Sequence, residues 1–559
     1  MTTTDPGAAQ PPPAHPSTAP AATGTAAGTA AAPRADPPLD PLDPLAPLDP
    51  LEPPGPAAGT AGPAAPGGPG AATAAAGDGD EGDGDGGDGL GRSVRRGLGW
   101  SFLNNLLGRA GTFLAGIVLA RVLVPEDYGV FAVALVAMNL LMGLNDAGMT
   151  AALIRWQGRM EEAAATAATL ILATSTALFL ALYAIAPVFS DALGVPEATP
   201  VVRLMAVTVI IDALFAVPVA AVTRSFLQGR RAAADMTNLV VSTGVAVTLA
   251  LHDQGAWSLA WGRVAGNLVA GLLLLVLSPV RVRFGFDRAV AGTLTRVGIP
   301  LTGASLLVFA MLNVDNVIVG RTLGPVALGL YSMAFNLSSW PVQMFAFAVR
   351  RVSLAGFSRL VDEPARLRAA YLRSLTLLLA VSLPVCVLLA TLAAPAVVTV
   401  YGEKWRPAAD ALTWLALVGI VRIATEVTFD YILARGRSRA VFGLQLAWVA
   451  ALVPALVAGA TVDGIRGVGI AHLLVALLFV TPAFGREVVR SGIRVRELAA
   501  ALARPALAAA AAAAASLAVA ELLDTGPFLT TLLAGLAGMG AYVAVAAPLR
   551  HLVKAPIEA

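Results

Sequence analysis

Several polar side chains that could do chemistry lie inside long apolar segments of this 559-residue sequence. Asn105, Arg109 and Thr112 follow one another at intervals of four and three positions, so they would share one face of a helix. Arg263 and Asn267 are four positions apart in a later apolar segment and would share a face in the same way. A charged side chain in the middle of a membrane costs about 3 kcal/mol, so it is kept for a partner or a wet cavity. These five residues are therefore candidates for a binding site.

The two arginines of this set point to an anionic ligand. Arg109 is eleven residues from the start of its apolar segment, which places it about 16 Å deep at 1.5 Å per residue, close to the membrane midplane. A guanidinium group donates paired hydrogen bonds in a planar fork that matches the oxygens of a phosphate. We predict a substrate cavity that is formed by Asn105, Arg109, Thr112, Arg263 and Asn267 and holds an anionic group.

A second set of charges within the apolar segments has two interpretations. Arg422 and Glu426 are four positions apart on one predicted helix, whereas Asp212 and Asp315 lie on two others. These groups could couple transport to an ion, or they could pair across helices and fix the packing. The sequence leaves both interpretations open.

No motif in the chain indicates catalysis or a bound cofactor. The sequence has no Walker A segment and no H-E-x-x-H motif, and its four histidines are scattered. Its single cysteine, Cys386, excludes an intramolecular disulfide and a cysteine-based zinc site. We therefore expect neither an enzyme nor a metal or cofactor site, and no nucleic-acid partner.

The composition separates an acidic tail from a very apolar body. Apolar residues make up 57% of the chain and charged residues only 13%, about half the charged share of a soluble protein. Residues 1–91 carry twelve acidic side chains and one basic side chain, and they are rich in Ala, Gly and Pro. Such a segment buries too little apolar surface to fold, so 1–96 is predicted to be a disordered cytoplasmic tail.

The body is predicted to cross a membrane about fourteen times. Apolar stretches of about 20 residues recur from residue 97 onward, and each can span a hydrocarbon core of about 30 Å as a helix. The predicted spans are 98–120, 128–150, 165–187, 200–222, 235–252, 256–278, 298–320, 326–348, 370–394, 408–432, 440–461, 465–484, 501–521 and 526–548.

The basic residues between these spans predict the orientation of the chain. If the N-terminus is cytoplasmic, the inner loops carry 28 Lys and Arg residues and the outer loops carry six. Cytoplasmic loops of membrane proteins are enriched in Lys and Arg. We therefore expect a multi-pass membrane protein with both termini in the cytoplasm.

A shift of 200 positions aligns part of the chain with itself. Residues 118–125 match 318–325 at an arginine, a leucine and a proline, and Gly129 matches Gly329. Parallel repeats of this kind occur in secondary transporters, which rock two bundles about a central site. We predict an all-α polytopic membrane protein with six-helix bundles at 97–296 and 297–490, followed at 491–559 by two further helices and a short cytoplasmic C-terminus.

Four separated blocks resemble the bacterial polysaccharide transporters, the O-antigen and exopolysaccharide flippases. The first, Gly99–Trp156, resembles the opening of these proteins, and the others follow in the same order. This family belongs to the multidrug/oligosaccharidyl-lipid/polysaccharide exporter superfamily. The later blocks are Asn313–Trp340, Tyr401–Trp405 (YGEKW) and Ala434–Arg439 (ARGRSR).

The resemblance implies a flippase for polysaccharide precursors in the bacterial plasma membrane. Members of the family move undecaprenyl-pyrophosphate-linked oligosaccharide to the outer leaflet, driven by ion gradients or potential rather than by ATP. The pyrophosphate would then be the anion held by the arginines, and the partners would be membrane lipids and glycosyltransferases or a polymerase of the same pathway. The alternatives are a peptidoglycan-precursor flippase or multidrug/ion antiporter of the same superfamily, and a non-transporting scaffold for glycan-synthesis enzymes.

Overall fold

The structure, a computed structural model, describes residues 111–145, 149–154, 160–225, 227–523 and 526–549, together with Gly108 and Trp156. In 297–312 and 345–355 it describes the backbone alone. All regular elements of these residues are helical, and they contain no strand. The predicted tail 1–96 and the predicted cavity residues Asn105 and Arg109 lie outside the described residues.

Fifteen helices follow one another along the described part of the chain. They are α1 (Gly111–Val122), α2 (Pro125–Asn145), α3 (Met149–Ile154), α4 (Met160–Ala192), α5 (Thr199–Arg224), α6 (Gln228–Ala250), α7 (Ala256–Leu277), α8 (Arg288–Arg359), α9 (Pro364–Thr391), α10 (Ala393–Tyr401), α11 (Ala408–Ala434), α12 (Ser438–Val475), α13 (Thr481–Arg490), α14 (Val495–Leu522) and α15 (Pro527–Ala546).

Eleven helical segments of the described residues are long and apolar enough to cross a membrane. Two of them each cover two neighbouring predicted spans, which are separated by a break in the helix. Non-helical backbone interrupts α8 at Gly324 and α12 at Asp463 and Gly464. Each interruption falls in a loop that the sequence predicts between two spans. The first predicted span is described only in part, as α1, so the number fourteen stays a prediction.

Glycines bring three helices of the N-terminal half close together. A Cβ added to Gly266 of α7 would lie 2.7 Å from the Cβ of Ser242 on α6. One added to Gly271 would lie 1.9 Å from the ring of Phe215 on α5. Small residues of this kind let membrane helices approach until their backbones nearly touch. The helices α5, α6 and α7 are thereby held closely enough for their polar side chains to meet.

The exterior of the helices is apolar. Val276 and Val188 are 82% and 68% exposed in the last turns of α7 and α4, and Leu478, between α12 and α13, is 74% exposed. Apolar side chains exposed in this number suit contact with lipid rather than water. We call the end at which α1 joins α2 the outer end, following the prediction from the basic residues.

Candidate functional site

A cavity of about 230 Å³ opens among the helices of the N-terminal half. Its walls are polar and apolar in nearly equal measure, and the polar side chains include those of Asp212, Asn238 and Asn267. These three residues belong to α5, α6 and α7, the helices that the glycines bring together. The cavity is therefore a polar pocket inside an apolar bundle.

The three polar side chains form a continuous hydrogen-bonded chain. The amide nitrogen of Asn238 donates to the side-chain oxygen of Asn267 at 2.8 Å. The amide nitrogen of Asn267 then donates to the carboxylate of Asp212 at 3.3 Å. Each residue is ten to twelve positions from the inner end of its helix, or about 15–18 Å at 1.5 Å per residue. These three hydrogen-bonded side chains thus lie near the middle of the predicted membrane.

An ion pair lies nearer the inner end of the same cavity. Arg231 and Asp235 line it, and the guanidinium Nε of Arg231 lies 3.2 Å from a carboxylate oxygen of Asp235. Their side chains are 39% and 57% exposed. A solute that enters from the inner side would meet this pair before it reaches the hydrogen-bonded chain.

The predicted cavity residues of this half have different outcomes. Asn267 lines the cavity, and so does Asp212, which was predicted as a coupling or inter-helix charge. Arg263 is exposed, one turn from Asn267 toward the outer end, and it does not line the cavity. It nevertheless lies close enough to Asp212 for their charges to interact. Thr112 is exposed, and its hydroxyl donates to the carbonyl oxygen of Gly108, four positions earlier, at 2.9 Å.

A buried cluster of polar groups lies in the C-terminal half, around Asp315 on α8. The carboxylate of Asp315 accepts hydrogen bonds from the Tyr331 hydroxyl and from the backbone N–H of Asn316, each at 2.8 Å. The Nε2 atom of His472 on α12 lies 3.1 Å from the Tyr331 hydroxyl and 3.9 Å from Asp315. The cluster joins two interrupted helices through groups that are all shielded from solvent.

Arg422 on α11 completes this cluster. Its guanidinium donates to the hydroxyl of Ser339 at 3.4 Å and lies 5.5 Å from the centre of the Phe335 ring. The charges of Asp315 and Glu426 both act on it. The structure thus brings together Asp315, Arg422 and Glu426, which the sequence placed on two separate helices.

Sequence reasoning missed Asn238, Tyr331 and His472. Each is a polar side chain inside a predicted apolar span, and that was the available signal. The predicted sites consist of charged residues and their helical neighbours, and His472 is one of four scattered histidines in the sequence. Their roles depend on partners 29, 16 and 141 positions away, which no local spacing reveals.

The membrane-length helices, the apolar exterior and the polar cavity define a multi-pass membrane protein with a transporter fold. Among solved structures, the lipid II flippase MurJ in an inward closed conformation matches 81% of this chain and 99% of its own, with a TM-score of 0.67 at 13% identity. An inward-facing multidrug resistance MATE family transporter of the MOP superfamily matches 69% and 94%, with a TM-score of 0.53 at 17% identity. At these identities the likeness shows the fold.

The chain belongs to the polysaccharide biosynthesis protein family, whose model matches residues 118–410. The succinoglycan biosynthesis transport protein ExoT of Rhizobium meliloti is 28% identical over 67% of this chain and 75% of its own length. The lipopolysaccharide biosynthesis protein WzxC of Escherichia coli is 22% identical over 65% and 74%. The family expected from the four sequence blocks is confirmed.

Proposed function

We propose that this protein is a flippase that moves undecaprenyl-pyrophosphate-linked oligosaccharide across the bacterial plasma membrane. Transport proceeds by alternating access and without ATP hydrolysis. The observation that carries the proposal is the hydrogen-bonded chain of Asp212, Asn267 and Asn238 inside a membrane-embedded cavity. The names of the relatives ExoT and WzxC, which refer to transport and to polysaccharide biosynthesis, support it.

The cavity suits the sugar part of such a substrate. Carboxylate and amide oxygens accept hydrogen bonds from hydroxyls, and amide nitrogens donate to them, so Asp212, Asn238 and Asn267 offer both functions. Displacing the hydrogen bonds among these side chains would let sugar hydroxyls take their place. The pyrophosphate would be held by Arg263 and by Arg109, since guanidinium groups bind phosphate oxygens in pairs.

The two clusters of buried charge have different parts in this proposal. Asp315 and Arg422 have their partners inside the C-terminal cluster, which favours the interpretation that they fix helix packing. Asp212 lines the cavity, where a transported ion would meet it, so it is our candidate for a coupling group. Glu426 acts on the charge of Arg422 and belongs with the packing cluster.

Alternating access requires two units that move relative to each other. We propose that these are the six-helix bundles 97–296 and 297–490, with both chain termini in the cytoplasm. The helices of 491–559 would pack beside the second bundle, since α14 contacts α9. The glycosyltransferases or polymerase of the same pathway would supply and consume the lipid-linked substrate.

Leaflet-resolved measurement of lipid-linked glycans tests the proposal. In a strain depleted of this protein, we expect such glycans to accumulate in the cytoplasmic leaflet and one surface polysaccharide to disappear. The wild-type chain should reverse both effects. Unchanged glycans and polymers on depletion would overturn the proposal, and accumulation of the peptidoglycan precursor instead would favour the alternative flippase.

A further inference from the structure

An arginine at the outer end of α1 reaches across to the C-terminal half. The guanidinium of Arg121 donates to the carbonyl oxygen of Val400 at 2.9 Å and also to that of Thr399. Both carbonyls belong to the last turn of α10, where the helix has no backbone donors left for them. A positive charge is also favourable there because carbonyl dipoles point toward it.

Two side chains of the loop after α10 donate hydrogen bonds back to α1. The ammonium group of Lys404 donates to the carbonyl oxygens of Arg121 and Val122 at 3.0 and 3.2 Å. The indole N–H of Trp405 donates to the carbonyl oxygen of Ala120 at 2.8 Å, and the Trp405 side chain is fully buried. We name Arg121, Lys404 and Trp405 with these five hydrogen bonds the Arg121 latch.

A similar but smaller contact lies on the other side of the outer end. The guanidinium of Arg321 donates to the carbonyl oxygens of Asp191 and Ala192 at 3.3 and 3.2 Å. These carbonyls are at the end of α4, so an arginine again caps a helix of the opposite half. Gly194 packs against Gly320: a Cβ added to Gly194 would lie 2.8 Å from the carbonyl oxygen of Gly320. We name Arg321 with its two hydrogen bonds the Arg321 latch.

Between the two latches, α2 and α8 touch through two reciprocal glycine contacts. A Cβ added to Gly129 would lie 1.8 Å from the carbonyl oxygen of Pro325. One added to Gly329 would lie 1.8 Å from that of Pro125. A shift of 200 positions exchanges one contact for the other and also exchanges Arg121 for Arg321. The outer end is thus closed by a central backbone contact with one arginine latch on each side.

We propose that this closure is an asymmetric outer gate, in which the Arg321 latch separates first and the Arg121 latch is the pivot. The Arg121 latch has five hydrogen bonds from three side chains, one of them the buried indole of Trp405, whereas the Arg321 latch has two bonds, of 3.2 and 3.3 Å, from one side chain. Opening that begins at the weaker side breaks fewer interactions. The inference rests on the proposed function, since alternating access requires the outer end to open.

Distances between spin labels across each latch test this order of opening. Cys386 is the single cysteine and is buried, so a Cys386→Ala background leaves introduced cysteines as the labelled sites. Exposed positions Glu197 and Val326 report on the Arg321 side, and exposed positions Val124 and Asp410 report on the Arg121 side. The full chain is reconstituted in lipid nanodiscs, and both pairs are measured by double electron–electron resonance.

We expect Arg321→Ala to add a longer-distance population, at least double that of the unmutated chain, at the 197–326 pair alone. Arg121→Ala leaves the hydrogen bonds of Lys404 and Trp405 in place. It should therefore change the distances at both label pairs less than Arg321→Ala changes the distance at the 197–326 pair. The matched control is Arg466→Ala, because Arg466 is an outer-end arginine whose ion pair with Asp463 lies within its own turn. It should change neither pair.

Two results would overturn the asymmetric gate. One is an unchanged 197–326 distribution in both Arg321→Ala and Arg321→Lys, and the other is equal lengthening of both pairs in Arg321→Ala. The measurement needs no substrate, so it reports on the latches whatever the cargo is. Failure of the proposed function would appear instead as unchanged lipid-linked glycans on depletion, with the distance results unaffected.

Discussion

The indole N–H of Trp405 donates a 2.8 Å hydrogen bond to the carbonyl oxygen of Ala120, 285 positions earlier in the chain. The indole ring is fully buried, and the ring of Tyr128 meets it edge-on at 5.0 Å between centroids. A loop of the C-terminal half is therefore anchored on the first described helix by one side chain that supplies both packing and a hydrogen bond.

Replacing Trp405 should separate these two contributions to stability. Trp405→Phe keeps an aromatic ring but leaves the Ala120 carbonyl without its donor, which should cost about 1–3 kcal/mol of unfolding free energy. Trp405→Ala also removes the ring and should cost about 3–5 kcal/mol. Thermal unfolding in nanodiscs would measure both. The control is Trp257→Phe, since Trp257 is 37% exposed and should change the melting temperature little; an equal loss there would contradict the anchoring role.

Asp212→Asn should abolish most polymer export while leaving the fold intact. The change keeps the size of the side chain but removes the negative charge that accepts the hydrogen bond from Asn267. A hydrogen bond to a charged group contributes about 1.5–3 kcal/mol, which corresponds to a loss of about 10- to 100-fold if it is needed in transport. Surface polysaccharide per cell, normalised to protein in the membrane, is the measurement.

The control for Asp212→Asn is a carboxylate of the exposed surface. Glu363 pairs with Arg366 at 3.0 Å, and both side chains are about half exposed, so Glu363→Gln should retain full export. Full export by Asp212→Asn at normal membrane levels would remove Asp212 from the site.

The sequence predicts the long helices well because the membrane restricts the choices. Lipid offers no hydrogen-bond partners, so each crossing must be a helix of about 20 apolar residues, and hydropathy alone marks it. The positions of the breaks at Gly324 and Gly464 follow from the same pattern. Asp212 and Asn267 were also marked locally, because a polar group in an apolar span stands out.

Contacts between helices were beyond the reach of a single sequence. His472 and Tyr331 are 141 positions apart, and they meet because α12 packs against α8. Nothing in the spacing around either residue indicates that packing. The same holds for Arg263, whose spacing from Asn267 predicts a shared helix face but not its exposed position one turn away.

Gly129→Ala should weaken the closed outer end. The added methyl group would sit 1.8 Å from the Pro325 carbonyl oxygen, a backbone atom, so α2 and α8 would have to move apart at this contact. Overpacking of this kind costs about 1–3 kcal/mol, and here the strain is relieved by opening. We expect a lower melting temperature and a longer distance between labels at 197 and 326.

Gly116→Ala is the matched control for the Gly129 change, since an added Cβ there meets no atom within 4 Å. It should leave the melting temperature and the label distance unchanged. Gly329→Ala should reproduce the effect of Gly129→Ala, because its methyl group would meet the Pro125 carbonyl at the same 1.8 Å. Different behaviour of these two variants would show that the reciprocal contact is not what closes the outer end.

Glu487 connects two inner-end segments through its carboxylate. It is 8% exposed and lies 2.7 Å from a guanidinium nitrogen of Arg437 and 2.6 Å from one of Arg490. Arg437 belongs to the short loop between α11 and α12, so the pair ties that loop to the end of α13. Removing one member of a buried ion pair leaves the other charges without compensation.

Glu487→Gln should therefore destabilise the protein more than the loss of an exposed pair does. Because the two arginines are 41% and 50% exposed, the expected cost is about 1–3 kcal/mol, below that of a fully buried pair. The half-exposed pair of Glu363 and Arg366 gives the comparison, since Glu363→Gln should cost less than about 1 kcal/mol. Denaturant or thermal unfolding of both variants in the same lipid measures the difference. If the two losses were equal, burial of Glu487 would contribute nothing to its pairing, and the loop would be held by the neighbouring bond from Arg435 to the Ser491 carbonyl at 3.1 Å.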